Sequence, residues 1–290
     1  MRHVLITGAA GGIGRAVAEE FAADGAALTL ADRDRETLEL VAARLGATGS
    51  GAGPVGALTV DLTRPEAAAD LVHQAWAARG PVDVLVNAAG VYPSLDMGDV
   101  SAADWDRLFA VNLRAPVLAT AAFSRLAVEH GLAGAVVNIS SGSALRARPG
   151  GGPYASSKAA LEMATRAAAL ELGAHNIRVN AVSPGFIPVD SACNPVSEQY
   201  ATAIGTNPLG RAGTPQDIAR AVRWIAGPDA SWITGEVLRV DGGSSTGAAH
   251  LPRIWPPEGS GPDDGIPHAP TAASGSPASP PQTATEGHSA

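Results

Sequence analysis

Along residues 1 to 246, short β-branched or aliphatic runs alternate with longer stretches whose apolar positions recur at helical spacing. The short runs predict strands at Val4–Thr7, Leu28–Ala31, Gly56–Val60, Val82–Asn87, Gly134–Ile139, Arg178–Ser183 and Val237–Val240. Helices are expected to begin near Ile13, Arg35, Pro65, Ala102, Tyr154 and Pro215. Arg64-Pro65 and Thr214-Pro215 place proline in a first turn, where its missing N–H is no loss. Such alternation implies an α/β fold: one doubly wound domain over residues 1–246, whose seven-stranded, mostly parallel sheet is covered on both faces.

From Gly247 onward the pattern stops. Nine of the chain's 22 prolines fall in the last 44 residues, among Gly, Ser, Ala and Thr without an apolar period. Residues 247–290 are therefore expected to form a disordered tail, with Leu251, Ile254 and Trp255 as the groups able to dock before order is lost.

Composition narrows the function. Hydrophobic residues make up 46% of the chain and charged residues 17%, which describes a globular protein. With 20 basic against 28 acidic side chains, a net of -8, there is no basic field to hold a phosphate backbone, so no nucleic acid partner is expected. The single cysteine, Cys193, cannot form an internal disulfide, and no Cys/His cluster suggests zinc. Neither a signal-peptide stretch nor a window of about 18 apolar residues is present, so the expectation is a cytoplasmic protein without a membrane or metal partner.

The first strand runs into Thr7-Gly8-Ala9-Ala10-Gly11-Gly12-Ile13-Gly14 and then a helix. Gly8 and Gly12 let the loop turn tightly and bring its amides to a pyrophosphate at the helix N-terminus, while Gly14 is expected to permit close helix-to-sheet packing. Asp32 ends the second strand, eighteen residues beyond Gly14, where its carboxylate accepts from adenosine ribose hydroxyls and opposes a 2′-phosphate. That argues for NAD over NADP. Arg33 pulls the other way, because its guanidinium could partner the same phosphate, and Arg15 follows the glycines.

Tyr154-Ala155-Ser156-Ser157-Lys158 places a phenol and an ammonium four residues apart, on one face of a helix. A lysine charge favours the phenolate, so Tyr154 could exchange a proton with an alcohol or carbonyl oxygen while hydride moves to or from a nicotinamide. Upstream, Val136-Val137-Asn138-Ile139 delivers Ser140 and Ser141 to the carboxyl end of a strand, and one of the two hydroxyls could hold the substrate oxygen.

Taken together, the chain resembles the short-chain dehydrogenase/reductase family. The likeness rests on TGAAGGIG at Thr7–Gly14, Asp32, Asp61-Leu62, NAAG at Asn87–Gly90, Asn112, Ser141, YASSK at Tyr154–Lys158, SPG at Ser183–Gly185 and ITGEVLRVDGG at Ile233–Gly243. It covers nearly all of residues 3–246 and implies a single Rossmann-type domain. By that resemblance Tyr154 is the general acid/base, and Lys158 lowers its pKa and binds the nicotinamide ribose. Ser141, thirteen residues before the tyrosine, polarises the substrate oxygen, and Asn112 kinks its helix and holds a water that relays protons to Lys158. Asp61 meets the adenine through its side chain and Leu62 through its amide. Asn87, Ala88 and Gly90 support the sheet and line the cleft. Pro184, Gly185 and the backbone of Ile187 face the carboxamide. One departure is Val189, which stands where many relatives have threonine; one hydrogen bond, about 0.5–1.5 kcal/mol, is then missing and weaker cofactor affinity is expected.

Substrate choice in the family depends on residues 142–153 and 185–213. Cys193, Asn194 and Tyr200 could line that pocket, with packing or surface roles as the plainer reading. Arg146 and Arg148 could attract a carboxylate or phosphopantetheine group, against the plainer reading of a solvated loop. Apolar positions in Trp105–Val117 and Leu161–Leu172 exceed what one sheet face needs, and relatives commonly pair these helices, so a homo-oligomer, dimer or tetramer, is expected. The leading expectation is an NAD(H)-dependent oxidoreductase acting on a small-molecule secondary alcohol or ketone. Its competitors are a catalytically silent dinucleotide-binding regulator and a 3-oxoacyl-thioester reductase.

Overall fold

Seven strands pair in parallel into one sheet: β1 (His3–Thr7), β2 (Ala27–Asp32), β3 (Val55–Thr59), β4 (Val84–Asn87), β5 (Gly134–Ile139), β6 (Ile177–Pro184) and β7 (Val237–Val240). The computed structural model describes residues 1–47, 53–189, 201 and 207–247. The expected tail with Leu251, Ile254 and Trp255, and the pocket candidates Cys193, Asn194 and Tyr200, lie outside the described residues.

The strand order is β3-β2-β1-β4-β5-β6-β7. The chain winds outward from β1 to β3, returns to the centre as β4, and winds outward again on the other side. A crevice opens where the direction reverses, at the carboxyl ends of β1 and β4, and their register sets Thr7 beside Asn87.

Alternation along each strand feeds two cores. In β1, Val4 and Ile6 face a core shared with Val17 and Phe21 of α1 (Gly12–Ala23), Leu38 of α2 (Arg35–Gly46) and Ile218 and Val222 of α7 (Pro215–Ala226). Leu5 faces the other, with Leu71 and Val72 of α3 (Ala67–Arg79), Phe123 of α5 (Ala115–Glu129) and Ala169 of α6 (Gly152–Leu172). Both faces of the pleat are buried, which is why the strands read as continuous apolar runs. Each fully buried Leu, Ile or Phe contributes roughly 1.5–3 kcal/mol.

Most element boundaries lie within two residues of the sequence reading, and three departures have a local meaning. Strand β4 starts at Val84, two residues after the expected Val82. Pro65 is not in a first turn, since α3 starts at Ala67. The cause is local: Asp61 Oδ1 accepts from both the amide and the hydroxyl of Thr63, and the resulting turn occupies the chain up to Glu66. The stretch Trp105–Val117 is not one helix either. It comprises α4 (Ala102–Phe109), a π-helical turn at Ala110–Arg114 and the start of α5. Pro215 does lie in the first turn of α7 as expected, and there Thr214 closes a capping box with Asp217. No helix of the described residues is long and apolar enough to cross a membrane.

Candidate active site

The glycine loop crosses the crevice between β1 and α1. Gly8 has φ +71°, and a β-carbon there would lie 2.7 Å from the backbone of Ala89, so only glycine lets this loop meet the segment after β4. Thr7 Oγ1 joins the same two segments by accepting from the amides of Ala88, at 3.1 Å, and Ala89, at 3.2 Å. A β-carbon at Gly14 would strike the carbonyl oxygen of Gly8, the residue just past β1, so glycine lets the first turn of α1 sit against the end of that strand. Gly12, with φ +51°, lies against Val189, and Ile13 packs against the first core.

At the adenosine end, Asp32 is built into the loop. Its Oδ2 accepts from Ala10 N at 3.0 Å and its Oδ1 from Asp34 N at 3.1 Å. An open cleft of about 660 Å³ beyond it is lined by Arg33, Asp34, Asp61, Thr63 and Arg107, which brings the expected Arg33 and Asp61 together. Arg107 had no signal of its own in the sequence. Thr63 holds one Asp61 oxygen and keeps that carboxyl below its ordinary range, so Asp61 is a partly engaged carboxylate. Leu62 is buried in the second core.

The catalytic candidates converge at the end of β5. Ser140 is buried, and its hydroxyl donates to Glu162 Oε1 at 2.8 Å, so its proton is spent on α6. Ser141 is half-buried, and its Oγ accepts from Ser143 N at 3.2 Å. That bond occupies a lone pair and not the proton, so of the two serines Ser141 has the chemistry to donate to a substrate oxygen. The Tyr154 ring packs edge-on to Tyr92, with centroids 6.2 Å apart, and Lys158 Nζ stands 5.8 Å from the Tyr154 centroid.

Lys158 is 4% exposed and donates to Ile139 O at 2.7 Å. Burial pushes its ammonium down to about 8, because the charged form loses hydration. Asn112 sits inside the π-helical turn and is fully buried. Its Oδ1 accepts from Val91 N at 2.9 Å, while Nδ2 donates to Val91 O at 2.8 Å and Ser157 Oγ at 3.1 Å. The side-chain amide thus ties the loop after β4 to the π-helical turn and to α6. A β-carbon on Gly90 would lie 3.5 Å from Asn112 Oδ1 and 3.6 Å from Lys158 Nζ, so glycine there leaves the approach to the ammonium open.

Beneath these groups runs a network that spacing alone could not reveal. Asn87 Nδ2 donates to Asn138 Oδ1 and Asn138 Nδ2 to Thr165 Oγ1, both at 2.9 Å, linking β4, β5 and α6. Asn138, Glu162 and Thr165 were not anticipated. On the other side of β5, the backbone amide of Gly185 donates to Val240 O at 3.0 Å, the carbonyl of buried Pro184 lies beside Gly142, and Ile187 packs against the first core. The Ser183 hydroxyl is buried with no partner among the described residues.

Sheet order, glycine loop and the Ser-Tyr-Lys cluster at the strand ends are the parts of a dinucleotide-dependent oxidoreductase. The chain belongs to the short-chain dehydrogenase/reductase family: the profile described as Enoyl-(Acyl carrier protein) reductase matches residues 8–245. It is 36% identical to a human (3R)-3-hydroxyacyl-CoA dehydrogenase, over 82% of this chain and 94% of that protein. It is likewise 36% identical to the galactitol 2-dehydrogenase (L-tagatose-forming) of Cereibacter sphaeroides, over 82% and 92%. Among solved structures, a blue fluorescent protein from a metagenomic library, in complex with NADPH, superposes with a TM-score of 0.76 at 35% identity, covering 84% of this chain and 98% of that one.

The buried ammonium makes a pH-dependent prediction. Between pH 8 and 10.5 the unfolded lysine binds a proton that the folded one does not, so folding stability attributable to Lys158 rises with pH in that window and is flat below it. Relative to Lys158→Met, wild type should gain up to about 3 kcal/mol across the window. Urea unfolding of both proteins over that range checks this, and a constant difference would contradict it.

Proposed function

We propose that this protein interconverts a small-molecule secondary alcohol and a ketone, with a nicotinamide coenzyme and with Tyr154 as general acid/base. The observation that carries the reading is Lys158 Nζ, which stands 5.8 Å from the Tyr154 ring centroid and is held by the carbonyl of Ile139, two residues before Ser141 at the end of β5, beside a crevice edged by glycines. The crevice fits a dinucleotide because side chains at Gly8, Gly14 or Gly90 would fill or distort it. Gly8, Gly12, Ile13 and Gly14 would hold the pyrophosphate, Asp32 the adenosine ribose, and Asp61 and Leu62 the adenine. Asn87, Ala88 and Gly90 would line the middle of the cleft, and Pro184, Gly185 and Ile187 would meet the carboxamide. When bound, the coenzyme supplies the hydride acceptor or donor.

The chain's own residues then divide the proton work. In the oxidising direction Ser141 donates a hydrogen bond to the substrate oxygen, which orients the alcohol. Tyr154 takes the hydroxyl proton as the hydride leaves the adjacent carbon. Lys158, held by Ile139 O, supplies positive charge that favours the phenolate. The names of the two curated relatives are those of dehydrogenases of hydroxylated compounds, which agrees with this class. A 3-oxoacyl-thioester reductase would use the same residues in the other direction.

We further propose that the coenzyme is NAD. Asp32 stands at the carboxyl end of β2 with both oxygens fixed by backbone amides, where a 2′-phosphate would meet its charge. Arg33 and Arg107 on the same cleft oppose that preference, and the metagenomic relative was solved with NADPH. A homo-oligomer belongs to the proposal as well, because α5 and α6 leave Val117, Met163 and Leu170 exposed.

Three outcomes are expected. Tyr154→Phe keeps the ring and removes the proton carrier, so kcat should fall by about two orders of magnitude or more with the fold retained, and near-normal turnover would refute the assignment. Asp32→Ala should relax discrimination against NADP in the ratio of kcat/KM values; a wild-type enzyme that already prefers NADP would overturn the NAD reading. Light scattering at micromolar concentration should show a species larger than the monomer, and a monomer would remove the oligomer from the proposal.

A further inference from the structure

Tyr154 stands at the start of α6, where only Gly152 and Pro153 precede it in the helix. A helical side chain lies over the turn N-terminal to its own Cα, and here no full turn is present to receive it. Its ring must therefore be held by other contacts. Lys158 Nζ stands 5.8 Å from the ring centroid, and the ring of Tyr92 meets it at a centroid distance of 6.2 Å and an interplanar angle of 62°. This is the edge-to-face arrangement, in which the positive rim of one ring meets the negative face of the other. An ammonium attracts a ring without fixing its torsion angles, whereas a second ring packed edge-on restricts them.

Tyr92 is itself placed by a closed circuit of hydrogen bonds. The residue before it, Val91, is clamped by Asn112, whose Oδ1 accepts from Val91 N at 2.9 Å and whose Nδ2 donates to Val91 O at 2.8 Å. The same Nδ2 donates to Ser157 Oγ at 3.1 Å, and Ser157 Oγ donates in turn to Tyr154 O at 2.7 Å. Pro93 follows and confines Tyr92 to extended backbone. One fully buried side-chain amide thus anchors the chain on both sides of the ring contact. It holds the neighbour of Tyr92 directly and the carbonyl of Tyr154 through Ser157.

We infer that Tyr92 is a positioning residue, whose ring holds Tyr154 in the rotamer from which its phenol exchanges the substrate proton, and that Asn112 acts on Tyr154 through this contact. The inference rests on the reading of Tyr154 as general acid/base. What counts is the aromatic edge and not the Tyr92 hydroxyl, so phenylalanine serves at position 92 and an aliphatic side chain does not. Displacing a reacting atom by about 1 Å costs up to about a hundredfold in rate, and a ring free to swing about two torsions moves its oxygen further than that.

The test compares wild type, Tyr92→Phe and Tyr92→Leu in reduction of ethyl acetoacetate, an uncharged ketone used as probe, with whichever of NADH and NADPH the wild type uses. In Tyr92→Leu, kcat should fall about tenfold or more while KM for the coenzyme stays within about twofold, and Tyr92→Phe should keep kcat within about twofold of wild type. Unchanged kcat in Tyr92→Leu, or an equal loss in Tyr92→Phe, overturns the inference and leaves the oxidoreductase reading standing. Should Tyr92→Leu not fold, Tyr92→Met, which fills the space without a ring, replaces it under the same criteria. If wild type does not reduce the probe, ultraviolet difference titration of the NAD-saturated proteins decides. An early phenol that persists in Tyr92→Phe and moves to higher pH in Tyr92→Leu upholds the inference. An early phenol unmoved in both variants, or lost in Tyr92→Phe, overturns it, and no early phenol in wild type overturns it together with the acid/base reading.

Discussion

A lysine held in near-complete burial by one carbonyl oxygen is the constraint from which the rest of the site follows. Lys158 donates to Ile139 O, and one turn later Glu162 accepts from Ser140, so α6 grips two consecutive residues at the end of β5. The next residue, Ser141, is thereby set relative to Tyr154, which lies one turn before Lys158 on the same helix. An ammonium in such surroundings is unfavourable for stability, and burial accordingly pushes Lys158 down to about 8. The same dehydration makes its charge act strongly on a phenol nearby, since opposite charges attract more where water is excluded.

The crevice and the cluster are coupled through the segment after β4. Thr7 fastens the amides of Ala88 and Ala89 to the glycine loop, Asn112 fastens Val91 to the π-helical turn, and Gly90 lies between the two ties beside Lys158. The π-helical turn is what directs Asn112 into this position, because its widened ladder interrupts the long helix where the loop must be held. A dinucleotide resting on the glycine loop would thus press on a segment already packed against the Lys158 ammonium.

The strands were legible because both faces of a parallel sheet are buried, which leaves apolar runs too short for helices and bounded by turn residues. The helix start at Pro215 was legible from its proline. The start of α3 was not, because the side chain of Asp61 captured Thr63 and prolonged the turn beyond Pro65. Five residues of π-helix at Ala110–Arg114 carry no periodicity that distinguishes them from α-helix. Among the site candidates, Tyr154 and Lys158 announced themselves by helical spacing and the glycines by their place after a first strand. Glu162 did not, since a partner 22 residues from Ser140 follows no spacing rule. Nor could sequence separate Arg146 from Arg148, two residues apart in one loop; only the fold turns one outward and the other toward Ser143.

The claim at the centre is that a buried cation governs the ionisation of one particular phenol. Its most direct measurement is an ultraviolet difference titration of the three tyrosines in the NAD-saturated protein, run beside Lys158→Met. One phenol should ionise ahead of the other two, and that early transition should vanish in the variant. Three phenols titrating together in both proteins would contradict the account.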